Sequence, residues 1–125
     1  MTPMEEIAEL HARLQLTISG LLVLLALWGL LCVVRGAVGR WYGAALRAAA
    51  LLIVAQGLLG AMLLARAGWP PAMALHAIYG IVAMIGLPTA LAYCRGRSGR
   101  REALALAAAC LFLLGVVIRA YATAG

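Results

Sequence analysis

Four long apolar runs, at 14–34, 44–65, 72–93 and 103–118, constrain this chain more than any other feature. Each is close to the length of about 20 residues that an α-helix needs to cross the hydrocarbon core of a bilayer. Lipid offers no hydrogen bonds to exposed backbone, so only helices or closed barrels span it, and unbroken apolar runs lack the alternation of barrel strands. Composition points the same way. Of the 125 residues, 66% are hydrophobic and the mean hydropathy is +1.05, whereas a water-soluble domain is roughly 45–50% apolar. The chain is therefore expected to be an all-α integral membrane protein, one domain over residues 1–125, with spans near 12–34, 44–66, 72–94 and 102–121.

Each break between runs has a cause. Arg35 to Arg40 separates the first pair, Arg66 to Pro71 the second and Arg95 to Glu102 the third. These connections are short, which makes sequence neighbours antiparallel and gives a four-helix transmembrane bundle. Pro70 and Pro71 should stop one helix and open the next, and Pro88 should kink the third. The acidic N-terminal stretch lacks the basic region of a signal peptide, and the first run is too long for a signal's apolar stretch, so the first helix is expected to be retained.

Orientation follows from the arginines, which supply all ten positive charges. Arg35, Arg40, Arg47, Arg95, Arg97, Arg100 and Arg101 lie in or beside the first and third loops, and Arg13, Arg66 and Arg119 lie on the other side. The positive-inside rule then puts both termini outside, in a multi-pass protein of a prokaryotic inner or plasma membrane. The net charge of +6 is accounted for by this topology and by anionic lipid headgroups, with no nucleic acid needed. Trp41 and Tyr42 on the inner side, and Trp69 and Tyr121 on the outer side, suit aromatic belts at the two interfaces.

Cys32, Cys94 and Cys110 form no Cys-x-x-Cys pair and are expected to be small buried residues rather than disulfides or attachment points for a covalent haem. Gly57 and Gly60, with Gly20, Gly29, Gly80, Gly86 and Gly115, can let helices approach closely or admit a flat cofactor. Gln56, the one strongly polar side chain deep in a span, is expected to donate an interhelical hydrogen bond.

The chemistry rests on two histidines. His11 opens the first span and His76 lies near the start of the third, and these spans run in the same direction, so both histidines fall at the outer face. At about 1.5 Å of rise per residue, their depths differ by roughly one turn, which helix tilt absorbs. Two neutral imidazoles from neighbouring helices can serve as axial ligands of a haem iron, with the macrocycle in the apolar interior. Arg13, Arg66 and Arg119 are then available to the propionates. The alternative is two solvated interfacial histidines. A zinc site is disfavoured, since no carboxylate or thiolate completes it and Glu5, Glu6 and Glu9 reach inward only if the N-terminal turn folds back.

Several segments resemble the haem A synthase family. Glu9-Leu10-His11-Ala12-Arg13 before an apolar helix is similar to that family's glutamate-containing His-Arg entry helix. Leu46-Arg47, Gln56-Gly57-Leu58-Leu59-Gly60 and Leu75-His76-Ala77 are similar to its Gln-Gly-x-x-Gly helix and second ligand histidine. The tail from Leu114 through Arg119 to Gly125 resembles the Gly-x-x-x-Arg segment that opens each four-helix half. The resemblance covers most of the chain and implies half of an eight-helix enzyme, with His11 and His76 as axial ligands of a haem b. The ligands would sit on the first and third helices instead of the second and fourth, as though the order began one helix later. The family's functional glutamate lies three residues before its first-half histidine, where this chain has Ala8, and its outer-loop cysteine pair has no counterpart here.

Three functions follow as expectations. The first is a membrane b-type cytochrome for electron transfer, alone or as a subunit of a respiratory or photosynthetic complex. The second is a half-sized haem A synthase-like oxidoreductase acting on the methyl group of haem O, with a homodimer supplying both haem sites. The third is a cofactor-free accessory subunit that packs through its glycine-lined faces.

Overall fold

The computed structural model describes residues 2–68 and 73–124. It is all-helical, with α1 (Pro3–Arg35), α2 (Arg40–Ala67), α3 (Met73–Tyr93) and α4 (Arg100–Ala124). All four are long and apolar enough to cross a membrane. Trp69, Pro70 and Pro71, expected at an aromatic belt and a helix boundary, lie outside the described residues.

α1 starts at Pro3 rather than near residue 12 because local polar chemistry extends it. The Thr2 hydroxyl accepts from the Glu5 N–H at 3.2 Å, and the Glu5 carboxylate accepts from the Thr2 N–H at 3.0 Å. This reciprocal cap satisfies helix-start donors that hydropathy does not register. The helix also carries Glu5, Glu6 and Glu9 along its own axis, so the N-terminal turn does not fold back. Its 33 residues extend for about 50 Å, against about 30 Å of hydrocarbon core. α1 ends at Gly36, whose φ of 83° lets its N–H bond the carbonyls of Cys32 and Val33; glycine reaches this left-handed conformation without a Cβ clash. α3 continues through Pro88 as one helix.

The helices form a ring. α4 packs most extensively against α1 and α3, α2 packs against α1, and the α2–α3 seam is the slightest of the four contacts. Among the described residues α1 and α3 share no close backbone contact and lie diagonally opposite, so the histidine-bearing helices are not the neighbours expected from sequence. The core runs through Leu22, Leu25, Leu46, Leu87, Leu106 and Leu113, with all three cysteines buried and free.

Tyr42 departs from the belt expectation. Trp41 is 70% exposed but Tyr42 is 0% exposed, and its hydroxyl donates to the Leu25 carbonyl at 3.0 Å. Successive helical residues point about 100° apart, so one of an adjacent aromatic pair can face out while the other enters the core. Gly29 makes the room: a Cβ there would strike the Tyr42 hydroxyl and lie 2.9 Å from the Ala107 Cβ. Gly86 similarly receives Leu113, whereas Gly20, Gly80 and Gly115 have open space beside them. Tyr121 is exposed.

At the end where α1 and α3 finish, the two loops are tied together. Ala37 and Gly99 form an isolated antiparallel bridge, the Val38 N–H donates to the Ser98 carbonyl at 2.7 Å, and Arg100 Nε donates to the Val33 carbonyl at 2.8 Å. These bonds satisfy backbone groups that the helix termini leave open.

Candidate functional site

The opposite end of the bundle, where α1 and α3 begin, encloses a cavity of about 600 Å³. Pockets that hold small ligands and cofactors run from about 300 to 1,000 Å³ and are mostly apolar with a few placed polar groups. This one has that character. Ile18, Ile53, Leu64, Met84 and Val117 supply apolar walls, and His11, Gln15, Gln56 and His76 supply the polar groups.

His11 of α1 and His76 of α3 meet across the diagonal of the ring, with ring centres 6.2 Å apart and planes at 75°. Among the described residues no group of three or more His, Cys, Asp or Glu side chains gathers to hold a metal, so the donor set is two imidazoles and nothing more. That set is wrong for structural zinc and sufficient for a group that brings its own equatorial ligands.

The tautomer of His76 is set by its surroundings. Its Nδ1 lies 2.7 Å from the Ala120 carbonyl of α4, and a carbonyl can only accept, so Nδ1 carries a proton, and in the neutral ring Nε2 then holds the lone pair. Bonding the far nitrogen to backbone in this way is how ligand histidines are usually oriented. His11 is held differently. The Nε2 amide of Gln56 donates to the His11 backbone carbonyl at 2.8 Å, tying α2 to α1. The Nδ1 of His11 and the Oε1 of Gln56 are both buried without a hydrogen-bond partner. One can donate and the other can only accept, so the two orphaned atoms are chemically complementary. Gln56 thus makes the interhelical bond expected of it. Gln15 does the same without having been singled out, donating to the Val117 carbonyl of α4 at 2.9 Å. Its spacing from His11, one helical turn on, was the available signal.

The remaining expected residues divide. Gly57 and Gly60 line the cavity, but their space is already used by side chains. A Cβ at Gly57 would collide with the Met84 thioether, and one at Gly60 would lie 3.1 Å from Cε1 of His11. The arginines are not brought to the site. Arg13 pairs with Glu9 at 2.6 Å on the exposed side of α1, Arg66 and Arg119 are exposed, and none of the three lines the cavity. Glu9 is likewise outside the cavity lining and engaged with Arg13.

Compared with known proteins, the chain matches no family model, no curated protein and no solved structure.

Proposed function

We propose that the chain is a multi-pass membrane protein that binds a b-type haem between His11 and His76 and serves electron transfer, alone or within a larger membrane complex. The observation that carries this reading is the meeting of the chain's two imidazoles in a mostly apolar cavity, edge to face with 6.2 Å between ring centres. A haem bound there would supply one-electron chemistry. The chain's own residues supply the rest. The Ala120 carbonyl holds the His76 ring with its Nε2 lone pair free, and Gln56 and Gln15 fasten α1 to α2 and α4 on either side of His11. The cavity's mostly apolar walls lower the local dielectric, which strengthens these polar contacts.

Orientation belongs to the same proposal: the arginine-rich loops face the cytoplasm, the termini and both histidines face outward, and the membrane is that of a prokaryotic cell. The oxidoreductase reading is the weaker one, because Ala8 occupies the position of the resembled family's glutamate and the Glu9 carboxylate is engaged with Arg13.

The test is a reduced-minus-oxidised absorption spectrum of the purified chain from haem-replete cells. A b-type spectrum that His11→Ala or His76→Ala abolishes is expected. Colourless wild-type protein, or colour that survives both substitutions, overturns the proposal.

A further inference from the structure

A second cavity, of about 400 Å³, opens at the arginine-rich end between α2 and α3. It is lined by Gly43 and Arg47 of α2, Pro88 and Leu91 of α3, and Arg95 and Arg97 of the loop that follows. Nothing in the haem reading uses it. Arg47 lies seven residues beyond Arg40, the start of α2, and so about 10 Å into the helix. Its guanidinium turns back toward that start, since a Cβ on Gly43 would lie 3.6 Å from Nη1. A long cationic side chain inside an apolar span lifts its charged head to the interface in this way.

The charges in this cavity do not cancel. Among the described residues there are two ion pairs, Glu9 with Arg13 at the other end and Arg97 with Glu102 here, at 3.8 Å. Glu102 also accepts from the Gly99 N–H at 3.1 Å, which fixes its carboxylate at the helix start. Arg97 in turn donates to the Tyr93 carbonyl and lies 5.0 Å over the Tyr93 ring. Arg47 and Arg95 therefore both line the cavity, and among the described residues neither is paired with a carboxylate. Below them the seam turns apolar. Leu51 lies one turn deeper than Arg47 on α2, Ile85 one turn deeper than Pro88 on α3, and both are exposed.

We infer that this cavity is a binding site for the phosphodiester of an anionic phospholipid, with Arg47 and Arg95 on the phosphate and the acyl chains running down the α2–α3 seam over Leu51 and Ile85. Guanidinium forks match phosphate oxygens, and basic pockets between transmembrane helices are a recurrent seat for anionic headgroups. The apolar continuation separates a lipid from free phosphate, which has no use for it. The site is independent of the haem.

The full chain, purified in neutral detergent, is exposed to phosphatidylglycerol or to phosphatidylcholine of the same acyl chains, and retained lipid is counted by native mass spectrometry. Retention of phosphatidylglycerol is expected over phosphatidylcholine by about fivefold for each arginine, or about thirtyfold for the pair. Arg47→Gln with Arg95→Gln brings the preference close to parity. Arg35→Gln with Arg101→Gln removes the same charge from the same end outside the cavity and retains the preference. Gly43→Leu, which fills the space beside the Arg47 guanidinium at unchanged charge, reduces it, and circular dichroism confirms that each variant remains helical. Equal retention of the two lipids by the wild type, or equal loss in the Arg35/Arg101 control, overturns the assignment. So does excess inorganic phosphate that displaces phosphatidylglycerol, since the ligand would then be a soluble anion.

Discussion

The two ends of the bundle solve opposite problems with the same four helices. At the arginine-rich end the side away from the Arg47 cavity fills space: Tyr42 enters the gap left by Gly29, the backbone of one loop pairs with that of the other, and Arg100 reaches across to Val33. At the histidine end the chain keeps space, and the helices are linked by Gln15, Gln56 and His76 reaching backbone carbonyls around a cavity of about 600 Å³. Two buried polar atoms there lack partners, a cost that a well-packed core would not carry. The difference marks where stability is gathered and where it is given up, as the proposed ligand site would require.

Substitutions at the two ends should therefore fail in different ways. The largest effect is expected at the histidines: His11→Ala or His76→Ala should lower bound haem by about tenfold or more while the helical circular dichroism stays unchanged. Loss of helicity along with the haem would show that the ends are not separable. Next is Gly29→Leu, whose side chain must displace Tyr42 and Ala107; overpacking of this kind costs about 1–3 kcal/mol in unfolding experiments in detergent. An unchanged unfolding midpoint would remove the claim that this end is tightly packed.

Smaller changes sharpen the contrast. Tyr42→Phe keeps the ring and loses the bond to the Leu25 carbonyl, for an expected cost of about 1 kcal/mol. Gln56→Leu should cost less than about 1 kcal/mol, because losing its bond to the His11 carbonyl is offset by removing an unpaired buried oxygen. Its signature should appear in the haem midpoint potential, measured by redox titration, rather than in stability. A Gln56→Leu protein that unfolds much more readily with an unaltered potential would assign Gln56 to the scaffold alone.

Much of this architecture is legible in one dimension. Hydropathy marks four helices, and the spacing of His11 and His76 marks a shared end, because length and apolarity are properties of a segment by itself. What hydropathy misses depends on a partner segment. Tyr42 and Trp41 are adjacent aromatics, and only the position of Gly29 on another helix decides which of them is buried. Met84 takes the space beside Gly57 for the same reason, so a glycine that could have admitted a cofactor admits a side chain instead. The loop bridge joins Ala37 to Gly99 across two intervening helices, and no local pattern announces it. The early start of α1 was visible in Thr2 and Glu5, but only to a test for capping.

The uneven ring has a kinetic consequence. With α4 as a spine gripping α1 and α3, the bundle resembles a book whose fore-edge is the slight α2–α3 contact. Were the histidine-end cavity to take a sparingly soluble guest as proposed, this edge would let it enter sideways, by a two-dimensional search within the leaflet, instead of from water past the charged rim. Its loading rate would follow the guest's concentration in the membrane, and cross-linking α2 to α3 would slow its exchange without touching either ligand.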